Sequence, residues 1–200
     1  MNYWWVSQNQ TYRAEATGGY LWAPKTKRDG SRSQNYDFMT EVRPFDLIFS
    51  YAGGRIKSVG IALSSAYTSV KPQEFGSKGE NWNEEGWRID VDYRGVLFEA
   101  KPKDDWEQVS KMLPAKYSPL KSDGDGVQAY LFKIDEPLAM HLLKMTSTPI
   151  PDQPVLDLSK IDFRAEEQEI IVDQALRETQ KVQLVQARRG QGTFRNRVKI

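Results

Sequence analysis

The stretch DLIFSYAGGRIKSVGIAL, running from Asp46 to Leu63, decides the fold. Two apolar runs flank Gly53-Gly54, and paired glycines supply the positive φ angles of a tight hairpin, so the segment reads as two antiparallel strands. Outward from it, YWWVS (Tyr3 to Ser7) carries strand-type residues, and GWRIDVDYRGVLF alternates Trp87, Ile89, Val91 and Tyr93 with polar neighbours. VQAYLFKI (Val127 to Ile134) supplies a further strand. Helices are expected over Gln34 to Val42, stopped by Arg43-Pro44, over Asp104 to Leu113, and over Pro137 to Met145 with proline in a first-turn position. The sum is an α+β fold: a β-meander core forming a curved sheet or barrel, with helices at its periphery.

TSTPIPDQPV places three prolines between Pro149 and Pro154, which no regular element accommodates, so the first domain is expected to end near residue 147. Beyond it, residues 148 to 188 read as a linker with one long helix, because Phe163 to Arg189 has good helix formers and no Gly or Pro before Gly190. Ile171, Ala175, Val182 and Val185 form only a thin apolar stripe, which suits a spacer between domains better than a self-associating helix. The net charge of +1 conceals a layout: Glu166, Glu167, Glu169, Asp173 and Glu178 precede a tail in which every charged residue from Lys181 onward is basic.

Zero cysteines exclude disulfides and thiolate-bound zinc, and the single histidine, His141, excludes multi-histidine metal centres. No catalytic set, metal site or cofactor is therefore assigned to the chain. SDGDG (Ser122 to Gly126) has calcium-loop residues, but Val127 occupies the next ligand position and the stretch reads as a turn. Asp104, Asp105 and Glu107 read as acids at a helix start, and His141 as a structural residue of its helix. With neither a signal peptide nor an apolar run of membrane-spanning length, the expected setting is cytoplasmic, away from membranes.

Six tryptophans are many for 200 residues. Trp22, in GGYLWAPK, and Trp82, in SKGENWNEEGW, read as loop aromatics, which either cap edges of the core or face each other across a flat heterocycle. Stacking of that kind contributes roughly 1 to 3 kcal/mol per base. Lys25, Lys27, Arg28 and Arg32 follow Trp22 closely, and a positive loop there is placed to meet phosphates, or is simply solvated.

YWWVSQ, Trp22, QNYDFMTEVRPFD, LIFSYAGG and IKSVGIALSSA come in an order that resembles the EVE domain, a member of the PUA-like superfamily with YTH and SRA-type readers. The likeness covers about residues 2 to 145, and the domain is drawn over 1 to 147. It implies an aromatic cage around a modified base: Ser7 and Gln8 reading its edge, Trp22 as one wall, and Trp82 as the other, with Trp87 the alternative to Trp82. A base in a duplex must be extruded to enter such a cage, at a cost of a few kcal/mol.

ARRGQGTFRNRV resembles the opening of HNH nuclease domains, through Arg189, Gly190, Gln191, Phe194 and Arg195. The order of parts resembles an EVE-HNH restriction family that cuts DNA containing modified cytosine. This implies that residues 189 to 200 begin a nuclease domain whose histidines, and whose divalent metal, lie outside this sequence, so that these 200 residues bind and do not cut. The implied partner is double-stranded DNA carrying 5-methylcytosine or 5-hydroxymethylcytosine, with homodimerisation through the C-terminal helix or the nuclease domain as a further expectation. Two other readings stand beside it: a PUA-like adaptor that reads a modified base in RNA, and a scaffold that dimerises through residues 165 to 188.

Overall fold

A computed structural model describes residues 1–80 and 82–149. The expected linker, long helix and nuclease-like tail lie outside the described residues. The described chain forms one strongly curled sheet with a few short helices, which is the α+β architecture expected.

The Gly53-Gly54 hairpin is present. Both glycines have positive φ, 60° and 77°, and they join β3 (Leu47–Ala52) to β4 (Arg55–Ala62) in antiparallel register. The meander expectation needs correction at β1 (Tyr3–Ser7), which lies parallel to β3 on one side and antiparallel to β7 (Leu131–Ile134) on the other. Trp4 and Trp5 point to opposite faces and both are fully buried, so β1 requires cover on both sides.

Trp5 packs with Phe49, Val59 and the inner faces of α3 (Trp106–Met112) and α4 (Glu136–Met145). Trp4 packs with Ile48, Leu21, Ile89 and Met39 inside the curl of the sheet. The curl is produced by β6 (Glu85–Ala100), whose first half lies between β2 (Tyr20–Pro24) and β5 (Tyr67–Val70) while its second half pairs with β4. Gly60 permits the close approach at the bend, since a Cβ there would stand 2.5 Å from Val91 Cγ1.

Four expected elements take a different form. The segment Gln34 to Val42 is a short α2 (Gln34–Asp37) followed by a 3-10 turn over Phe38–Glu41, and α3 is preceded by another over Pro102–Asp105. The strand expected from Val127 begins only at Leu131, because residues 127–130 turn inward and bury Tyr130. GGYLWAPK is not a loop: Gly19, at φ 70°, ends α1 (Tyr12–Gly18) in a left-handed cap, and Tyr20 to Pro24 is strand β2. Pro24 is tolerated because β2 has only one hydrogen-bonded neighbour among the described residues.

His141 Nε2 lies 2.9 Å from Asp105 Oδ2, which joins α4 to the turn before α3. Residues 122–126 form a turn, with Asp125 paired to Lys103 at 2.9 Å. Asp46, buried at the start of β3, accepts hydrogen bonds from the Asn2 backbone (2.6 Å), Trp4 Nε1 (2.9 Å) and the Arg43 backbone (3.0 Å). With the Asn2 side-chain amide, which donates to the same carboxyl at 3.1 Å, these bonds tie β1 to β3. Asp46→Ala leaves the Trp4 indole N–H buried without a partner, and a loss of about 3 kcal/mol is expected in urea unfolding. An unchanged midpoint would show that this carboxylate does not hold the parallel pair together.

Candidate functional site

Where β1 ends, the sheet opens into a cavity of about 710 Å³, within the range of about 300 to 1,000 Å³ usual for small-ligand sites. Its walls come from five pieces of chain: the β1–α1 turn, β2, Tyr36 of α2, residues 77–80 with Trp82, and residues 127–130. Ser7, Gln8, Trp22 and Trp82 all line it, so four of the five expected pocket residues are brought together. Trp87 is not. It stands opposite Ala23 and Thr68 on β6, with Lys25 Nζ 4.4 Å above its ring.

Trp22 reaches the cavity by strand periodicity. Tyr20 and Trp22 project to one face of β2 and join Phe75, while Leu21 and Ala23 project to the other and join the inner core. The indole needs Gly86 opposite, because a Cβ there would lie 2.4 Å from its ring. Gly79 does the same for Trp82: a Cβ on it would lie 2.3 Å from that indole. Phe75 meets both rings edge-on, at 5.8 Å and 6.0 Å between centroids.

The two indoles are 6.3 Å apart and inclined by 25°, stacked on each other. A planar ligand between them needs two carbon contacts of about 3.5 Å or more, roughly 7 Å in all. The Trp22 and Trp82 ring centroids thus stand closer together than a planar ligand sandwiched between them requires. Trp22 is 1% exposed and belongs to the core, whereas Trp82 is only partly buried on a short turn. Opening the gap falls to Trp82.

The basic loop is also more constrained than its sequence suggests. Lys25 donates to Glu85 and Thr68, each at 2.8 Å, and Arg32 pairs with Asp37 at 3.1 Å. Lys27 and Arg28 lie exposed on the turn between them, where the Gly30 N–H donates to the Lys27 carbonyl. This loop connects Pro24 to α2, and both Pro24 and Tyr36 of α2 line the cavity. Asn83 donates to Thr26 Oγ1 and its carbonyl, which clamps the basic loop to the residue beside Trp82.

The sequence reading missed Glu15. It is fully buried on α1, accepting from Gln8 Nε2 at 2.5 Å and from the Tyr130 hydroxyl. Tyr130 Oη in turn accepts the Trp22 backbone N–H at 2.9 Å. Burial raises the Glu15 carboxyl to about 7, against the opposing effect of hydrogen bonds from Thr11, Tyr130 and Gln8. The one available signal was its position on the core-facing side of YRAEATG, a segment whose closing pair of glycines, Gly18 and Gly19, disguises a helix as a loop.

No protein-family model matches the chain, and no curated protein matches it. Among solved structures, the Pho92 YTH domain in complex with m6A aligns with a TM-score of 0.50 and 8% identity, over 76% of this chain and 89% of that one. Rpa0253 from Rhodopseudomonas palustris aligns at 0.48 and 15% identity, over 74% and 94%. Human THYN1, in complex with 5-methylcytosine containing DNA, aligns at 0.44 and 13% identity, over 74% and 99%. At these identities the likeness concerns the fold, and the fold is of the PUA-like type to which YTH domains belong.

Glu15 has a consequence for stability. Its folded pKa of about 7 lies above the ordinary 4.5, so the folded state binds the proton more tightly. The stabilisation is complete below about pH 4.5 and is lost as pH rises through 7, a change on the order of 3 kcal/mol. Glu15→Gln cannot titrate, so the gap between variant and wild type in chemical denaturation should widen in the variant's favour from pH 5 to 8. A gap that stays constant over that range would show that Glu15 is already ionised at pH 5.

Proposed function

We propose that this chain reads a modified nucleobase drawn out of a nucleic acid into the cavity beside Trp22 and Trp82. The observation that carries the reading is the meeting of two kinds of group in one cavity: a pair of indoles, and two buried polar atoms, Ser7 Oγ and Gln8 Oε1, without hydrogen-bond partners among the described residues. Indoles stack on any base, and buried unpartnered polar atoms are costly unless a ligand satisfies them. Together they suit a flat, apolar-faced molecule with a polar edge.

The finer reading is a cytosine bearing a 5-methyl or 5-hydroxymethyl group in duplex DNA, with the chain as specificity module of an HNH-type restriction nuclease. It is supported by the EVE-like order of motifs through residue 145 and by the nuclease-like residues Arg189 to Arg195, which lie outside the described residues. One methyl contributes only about 0.8 kcal/mol on burial, so discrimination rests on cavity shape as well. Lys27 and Arg28 are exposed beside the cavity and are proposed to meet phosphates there; a phosphate at Lys25 or Arg32 must compete with Glu85 or Asp37. The second reading, a methylated base in RNA, is favoured by the fold likeness to a YTH domain whose complex contains m6A.

Titration at fixed salt against unmodified, 5-methylcytosine and 5-hydroxymethylcytosine duplexes and N6-methyladenosine RNA separates these readings. Tighter binding to a modified duplex than to the unmodified one is expected, while preference for the RNA supports the second reading. Trp82→Ala should weaken modified-base binding ~10- to 100-fold with the fold retained, because Trp82 is only partly buried. Full discrimination in that variant would remove Trp82 from the site.

A further inference from the structure

The hydrogen bonds behind the cavity have a fixed direction, and that direction determines what Gln8 offers to a ligand. Two backbone groups of β2 set it. The Trp22 N–H donates to Tyr130 Oη at 2.9 Å, so the Tyr130 hydroxyl turns its own hydrogen to Glu15. The Tyr20 carbonyl accepts from Tyr93 Oη at 3.3 Å, so Tyr93 offers Gln8 a lone pair and no hydrogen. Gln8 is therefore faced by two acceptors, Glu15 Oε2 at 2.5 Å and Tyr93 Oη at 3.1 Å.

An amide between two acceptors must present its NH₂ group to both. That orientation consumes both Gln8 N–H donors and leaves Oε1, which is buried and without a partner among the described residues. Gln8 itself lines the cavity and is 1% exposed, so the amide has no room to tumble.

We propose that Glu15, acting with Tyr93, is a positioning residue that locks Gln8 with its carbonyl oxygen toward the ligand, so that the site selects bases presenting an exocyclic amino group, as at cytosine N4, to that oxygen. This rests on the base-reading proposal above and narrows it. Cytosine, with its N4 amino group, and adenine, with its N6 amino group, meet the requirement, while thymine and uracil place a carbonyl acceptor where cytosine has its amine. Ser7 Oγ, a hydroxyl that both donates and accepts, is indifferent to this distinction. A site built around a hydrogen bond rejects the analogue that lacks it, because its own polar group is then left buried and unpaired.

The test uses the full chain and two duplexes identical except at one position, which holds 5-methylcytosine in one and thymine in the other. Each stands opposite an abasic site, so that neither base must break a pair. At pH 8.5 Glu15 is ionised and accepts only. The 5-methylcytosine duplex should bind at least tenfold more tightly, and Tyr93→Phe, which removes one of the two acceptors facing Gln8, should reduce that ratio while circular dichroism stays native. Equal binding of the two duplexes, or tighter binding of thymine, overturns the inference and leaves base reading intact. Binding of neither above a duplex abasic at both positions defeats the base-reading proposal itself. An unchanged ratio in Tyr93→Phe removes the positioning role, and if that variant does not fold, the wild-type ratio alone decides.

Discussion

The structure depends on burying two consecutive tryptophans on opposite faces of one strand. A strand with Trp4 up and Trp5 down cannot sit at an edge or face water, so β1 lies between β3 and β7 with helices α3 and α4 on one side and the curl of the sheet on the other. Its parallel pairing with β3 follows, since the chain has to travel through α1 and β2 before returning. The end of such a central strand is also the place where a sheet opens. Ser7 and Gln8 stand at that opening because the two residues before Val6 are buried on both sides.

Around this anchor, the structure uses small residues to admit large ones. Gly60 leaves room for Val91 and Tyr93 of β6, Gly86 for Trp22, and Gly79 for Trp82. The aromatic layer of Tyr20, Trp22, Phe75 and Trp82 is thus attached to the outer face of β2 and not to the main core. That separation allows one tryptophan of the pair to be rigid and the other adjustable. The clamp from Asn83 to Thr26 ties the residue beside Trp82 to the loop that carries Lys27 and Arg28.

Much of this was legible in the amino-acid order. The Gly53-Gly54 hairpin, the alternation of β6 and the helix starting at Glu136-Pro137 depend on local chemistry, and they were found where local chemistry placed them. What local reading lost was whatever tertiary contact decides. Tyr20–Pro24 has glycines before it and a proline at its end, and only its pairing with β6 makes it a strand. Val127 to Tyr130 has strand propensity, yet the burial of one hydroxyl against Trp22 and Glu15 pulls it out of the ladder. In the site, Ser7, Gln8, Trp22 and Trp82 were visible through their residue types and family resemblance. Glu15 was not, because a carboxylate on a seven-residue helix gives no sequence sign that it will be wholly enclosed.

The self-stacked indole pair also changes how affinity at this site has to be understood. The Trp82 indole, its centroid 6.3 Å from that of Trp22, stands beside the face a flat ligand would use, so on the proposed reading the protein is the first competitor for its own cage. Any entering base must replace that contact before it gains anything, and a base that offers stacking alone merely exchanges one aromatic partner for another. The surplus has to come from its edge and its substituent. On that reading, a cage closed by its own walls imposes one common cost on every base, and affinity is lowered for all of them until an edge contact offsets it.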